Sequence, residues 1–174
     1  MDLHSLLTGS PTGPSALPAS PASPGTFPDA KTLWAAVQRP GLQHTGEHSD
    51  PDDAVGQWGR WAQELAGLYA RHGSGPLPDE VRHRVDQVIT EVNAWVTCHV
   101  RRAVGGARME PMSMGEVLTR LVRMAKSFDE VPVPDAHPMW RRIAQQLNAY
   151  EDFARGLIDG TADMPDYLPG LDES

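Results

Sequence analysis

The sequence predicts an all-α protein, an up-and-down bundle of four main helices plus a short accessory helix, with a disordered N-terminal tail. Three observations predict it. Apolar residues recur at three- and four-residue spacing in five stretches. Residues that start and stop helices bound most of those stretches. The one valine-rich stretch lacks the alternation a strand requires. A chain of 174 residues suits a single domain. The divisions expected are a tail over 1–28, a bundle over 29–165 and an acidic C-terminal tail over 166–174.

Residues 1–28 hold six prolines, five serines, three glycines and one charge, Asp2. So little apolar surface does not offset the entropy of ordering the chain, and the segment reads as a disordered tail. "DAKTLWAAVQ" (29–38) then gives the short helix, with Leu33, Trp34 and Val37 on one side and Pro40 and Gly41 stopping it. The next helix has Asp50 as N-cap, Pro51 at its first position and acids Asp52 and Asp53 in its first turn. Val55, Trp58, Ala62, Leu65 and Tyr69 form its stripe, Trp61 and Leu68 flank it, and Gly73 ends it. Asp79 opens a long third helix whose stripe runs through Val81, Val85, Val88, Ile89, Val92, Trp95, Val96 and Ala103. Val and Ile favour sheets, but Arg82, His83 and Arg84 stand together, which breaks any two-residue period. Arg101 and Arg102 suit the negative end of this helix, and Gly105–Gly106 are expected to close it.

In "SMGE", Ser113 and Glu116 have the spacing of a reciprocal capping box. Met114, Val117, Leu118, Leu121, Ala125 and Phe128 follow on one face. The last helix comes after "DEVPVPDAHP", with Met139, Trp140, Ile143, Leu147, Tyr150, Ala154, Leu157 and Ile158 along one side and Gly160 at its end. Four such stripes joined by short connections pack most economically as an up-and-down bundle.

Composition narrows the function. The net charge is −8, and ten acids against three arginines in 129–174 concentrate it at the C-terminal end. No lysine and arginine stripe is available to neutralise phosphates, so nucleic acid is not an expected partner. No run of about 18 apolar residues spans a membrane, and the first residues lack the order of regions in a secretory signal. Cys98 is the single cysteine, which excludes an intrachain disulfide. The cytoplasm is the expected compartment, and no cofactor or metal is expected.

"GEVLTRL" (115–121) and "HPMWRRIAQQLNAYEDFARGLIDGTADMP" (137–165), with "VNAWV" (92–96), resemble an uncharacterised bacterial family, domain-of-unknown-function family 4254. His137, Trp140, Arg142, Tyr150, Gly160 and Pro165 match that family's pattern. The resemblance covers about residues 54–165 and implies a helical fold without supplying a reaction. The chain departs from the pattern at Glu110, Pro111 and Met112, at Thr119 before Arg120, and at Thr161, Ala162 and Asp163.

The candidate site lies in the same region. His137 is a candidate acid–base residue oriented by Asp135, or else part of a helix start with Pro138. Arg120, Arg142 and Tyr150 lie at or near stripe edges and make a candidate pocket for a small anionic ligand; the arginines otherwise pair with carboxylates on the rim. His99 falls on the apolar face of the third helix and reads as a satisfied core residue or, less readily, a metal ligand. "HTGEH" (His44, His48) and Glu80-x-x-His83 have metal-like spacing without the remaining ligands of a site. Met109, Met112 and Met114 suggest an adaptable surface or core filling. Two functions follow: a non-catalytic module that binds a protein partner or forms a homo-oligomer, and a protein or enzyme taking a small anionic metabolite.

Overall fold

A computed structural model describes residues 27–38, 54–72, 75–100, 103, 105–129 and 138–165. Among the described residues five helices follow one another: α1 (Ala30–Gln38), α2 (Ala54–His72), α3 (Asp79–His99), α4 (Met114–Asp129) and α5 (Pro138–Asp159). Two short strands, β1 (Arg108–Met109) and β2 (Ala162–Asp163), pair in parallel. The helical fold expected from the spacing is the fold observed.

Local chemistry sets the helix ends. Asp29 caps α1, its carboxylate accepting from the Thr32 amide at 2.7 Å and the Thr32 hydroxyl at 3.0 Å. The bond from the Thr32 amide holds the Asp29 carboxyl below its ordinary value. The capping box at α4 forms as expected: the Ser113 amide donates to Glu116 Oε2 (2.6 Å), and the Glu116 amide to Ser113 Oγ (3.4 Å). Gly160 takes φ +69° after α5, while Thr161 N–H reaches Gly156 O (2.8 Å) and Gly160 N–H reaches Leu157 O (3.3 Å). That is a Schellman ending, and its left-handed residue favours glycine. Pro138 begins α5, the position where a missing N–H costs least.

The end of α3 differs from expectation. The helix stops at His99, and Val100 is extended with its N–H on Val96 O. Val100 is buried, so leaving the helix there sets a branched apolar side chain into the core. Gly105 and Gly106 form a turn beyond it, Gly106 at φ +103°. The Asp50–Asp53 start, the Gly73 stop and the pair Arg101–Arg102 lie outside the described residues.

The helices pack as the stripes require. α4 lies against α2, α3 and α5, and α2 against α3. Trp58, Leu65, Val88, Val92, Leu118, Leu121 and Val122 are fully or almost fully buried between them. Phe27, inside the segment expected as tail, is also buried. The accessory helix α1 is built into this core, with Leu33 and Val37 buried and α2, α4 and α5 as neighbours. Val55, expected on the α2 stripe, is exposed, as is Trp140 on α5. Both stand in the first turns of their helices, where the stripe runs past the edge of the core.

α4 approaches α3 closely at its first turn. A Cβ on Gly115 would stand 2.7 Å from the Ile89 carbonyl oxygen, so only glycine fits. The Gly115 amide donates to Asn93 Oδ1 at 2.9 Å, a buried bond tying the start of α4 to α3. The β1–β2 rung fastens the α3–α4 connection to the end of α5: Arg108 N–H reaches Thr161 O and Glu110 N–H reaches Asp163 O, each at 2.9 Å. No helix among the described residues is long and apolar enough to cross a membrane.

Candidate functional site

The residues singled out from the sequence fall into three environments. Tyr150 is fully buried, and its hydroxyl donates to the Pro28 carbonyl at 2.9 Å. Burial pushes its ionisation well above the usual tyrosine range, with the nearby Asp29 and Glu151 carboxylates adding to the effect. The sequence set Tyr150 in a ligand pocket; the structure places its side chain in the core. Its one donor is used inside the core, because the stripe faces inward at position 150 and a buried hydroxyl must find a partner.

Arg120 and Arg142 are exposed on α4 and α5, two helices packed against each other. The Arg120 guanidinium lies 3.9 Å from Met112 Sδ. Among the described residues neither arginine forms an ion pair with Asp or Glu, unlike Arg84, Arg108 and Arg155. Pairing with the described carboxylates therefore does not account for these two. Asp135 and His137 lie outside the described residues, as do His44 and His48.

His99 is exposed, whereas the helical wheel set it near the centre of the apolar face. The reason is the early end of α3, which leaves His99 in the last turn. Its Nδ1 is 2.8 Å from the Trp95 carbonyl oxygen, and its ring stacks on Trp95 with centroids 4.3 Å apart and planes 15° apart. His83 is exposed and contacts Gln87. No three His, Cys, Asp or Glu side chains among the described residues gather as metal ligands do. The three methionines divide: Met114 is buried, Met112 packs partly against the core, and Met109 is 60% exposed on β1.

Spacing alone gave no sign of the aromatic cluster around Tyr150. Trp58 is its centre, with Phe27 at 5.4 Å, Trp95 at 5.8 Å, Trp61 at 5.9 Å and Tyr150 at 6.3 Å between ring centroids. Most pairs meet edge to face or tilted, the arrangement ring quadrupoles favour. The cluster draws on α2, α3, α5 and the segment before α1, so tryptophans spread over the sequence converge only in the fold. Trp58 Nε1 is buried with no hydrogen-bond partner among the described residues. Trp61 Nε1 instead donates to Glu91 Oε2 at 3.1 Å. Glu91 and Glu64 also hold Arg84, and the hydrogen bond from Arg84 to Glu64 raises the guanidinium further above its ordinary value.

No protein-family model, curated protein or solved structure matches this chain.

The chemistry of the arrangement is restricted. Tyr150 is committed to the core, with the Asp29 and Glu151 carboxylates near it. Beside exposed acids such as Asp79 and Asp152, the surface presents the apolar Met109, Val55 and Trp140 and the arginines Arg120 and Arg142.

Proposed function

We propose that the protein is a non-catalytic helical module that works by binding a protein partner or a second copy of itself. The observation that carries this reading is the burial of Tyr150 with its hydroxyl on Pro28. The side chain meant to orient a small ligand is instead part of the fold, and a ligand taking that hydroxyl would have to unseat the core. The exposed Met109 supports the reading, since a flexible thioether on the surface adapts to a partner. Size-exclusion chromatography with light scattering, together with affinity capture by the full chain, tests it. The expected result is a mass above the monomer or a stoichiometric complex; a lone monomer that retains no partner overturns the reading.

A second reading is favoured by one observation, the two exposed arginines that have no carboxylate partner among the described residues. Arg120 and Arg142, with His137 as acid–base, would then serve a small anionic metabolite. Thermal-shift screening with phosphate, citrate and nucleotide monophosphates tests it. Stabilisation that disappears in an Arg120→Ala, Arg142→Ala variant supports an anion site; stabilisation unchanged by both substitutions rules these residues out.

A further inference from the structure

We propose that the outward face of α5 is a self-association surface, on which a second copy of this chain lays its own α5 antiparallel, with Arg141 of each copy against Asp159 of the other. The inference deepens the interaction reading by naming the surface and its occupant, and it rests on that reading.

The fold covers the two halves of α5 unequally. Tyr150, Phe153, Ala154 and Leu157 anchor the second half in the core, whereas Ile143 is the only buried residue from Pro138 to Ala149. Arg141, Gln145, Asn148, Asp152, Arg155 and Asp159 are all exposed and follow one another at steps of three and four, so they make one continuous face along the helix. Trp140, 38% exposed, and the exposed Ala144 border that face.

Charge decides what the face fits. A helix favours acids at its start and cations at its end, and α3 complies with Asp79 and Glu80 in its first turn, as α2 does with Arg71 in its last. α5 runs the other way. It has no acid in its first turn and no base in its last; Arg141 and Arg142 stand close to its start, and Glu151, Asp152 and Asp159 lie in its second half. Among the described residues Arg141 and Asp159 have no ion-pair partner. A helix charged in this order is complementary to an antiparallel copy of itself, which meets cations with acids and sets each helix end beside the opposite pole of the other dipole. The register follows from the spacing. Arg141 and Asp159 are about five turns apart and so stand on one line of the helix surface. A two-fold axis at the level of Tyr150 puts Arg141 opposite Asp159 of the other copy, twice over, and Asn148 opposite Asp152. The helix of 22 residues is about 33 Å long, and a contact of that length and one helix in width suits a weak dimer rather than an obligate one.

Sedimentation velocity of the full chain over a concentration series tests the surface. The wild-type protein is expected to dimerise, more weakly in about 0.5 M than in about 0.05 M sodium chloride because exposed charges are screened. Arg141→Asp and Asp159→Arg each set like charges opposite one another and should raise the dimer Kd about tenfold or more. The double variant Arg141→Asp, Asp159→Arg restores the opposition and should return Kd to within about threefold of wild type. Both changes agree with the dipole of α5 itself, so a weaker dimer does not stem from a weaker helix. A dimer indifferent to the single reversals, or one that the double variant does not recover, overturns the α5 surface and leaves the interaction reading standing. A monomer at every concentration that captures a different protein overturns self-association alone. A monomer that captures nothing overturns both.

Discussion

At Tyr150 one hydroxyl links the last helix to the segment before the first. Replacing Tyr150 with Phe leaves the Pro28 carbonyl buried without its donor, and urea unfolding should show a loss of roughly 1–3 kcal/mol. The raised ionisation of Tyr150 also fixes a direction with pH. The unfolded chain releases the phenolic proton from about pH 10 upward while the folded chain holds it, so stability is complete below about pH 10 and declines above it. Tyr150→Phe should flatten that decline in urea titrations between pH 9 and 11 (about the accessible range). Burial raises Tyr69 in the same direction, so some slope should remain. The glycines separate by surroundings. A Cβ on Gly59 or Gly67 meets nothing within 4 Å, so Gly59→Ala and Gly67→Ala should each add roughly 0.5–1 kcal/mol. Gly115→Ala pushes a methyl onto the Ile89 backbone and should cost roughly 1–3 kcal/mol. Opposite shifts in melting temperature are the expected result; a stabilised Gly115→Ala protein would mean that α3 and α4 do not meet as closely as they do here.

Among the elements, the two best-capped helices give the clearest expectations. Ser113→Ala removes one half of the α4 capping box and should cost roughly 0.5–2 kcal/mol in thermal or chemical unfolding. At α1, the lowered Asp29 carboxyl means its contribution is present above about pH 4 and is lost as pH falls through the folded value. The Thr32 amide resonance should report this, titrating at a midpoint below that of an unstructured aspartate. Where an end depends on neighbouring side chains, as in the Ser113–Glu116 box and at Gly160, it was legible in the sequence; the Asp29 cap was not read there. The end of α3 was not legible, because burying Val100 in the tertiary core outweighs the local signals at Arg101, Arg102 and Gly105. His99 was misjudged for the same reason. The β1–β2 rung carries no pattern of its own, since two residues are too few to show a period.

For the whole molecule, the periodicities of five stripes were enough to give the helical class, because each stripe has only one way to leave water. They were not enough to give the site. Tyr150, Arg120 and Arg142 read from the sequence as one candidate pocket, yet packing sends the tyrosine inward and leaves both arginines outside. Such a segregation depends on a few tens of degrees around a helix, finer than residue spacing resolves. The order of assembly, by contrast, follows from the rung that pairs Arg108 with Ala162 and Met109 with Asp163. Its two halves are separated by all of α4 and α5, and parallel pairing over such a distance is slow to form until the intervening helices are docked. Substituting Ala162 should therefore speed unfolding and leave the refolding rate nearly untouched in stopped-flow measurements. The rung behaves like a rivet set after the plates are aligned: it does not guide construction, but it decides how long the finished object resists coming apart.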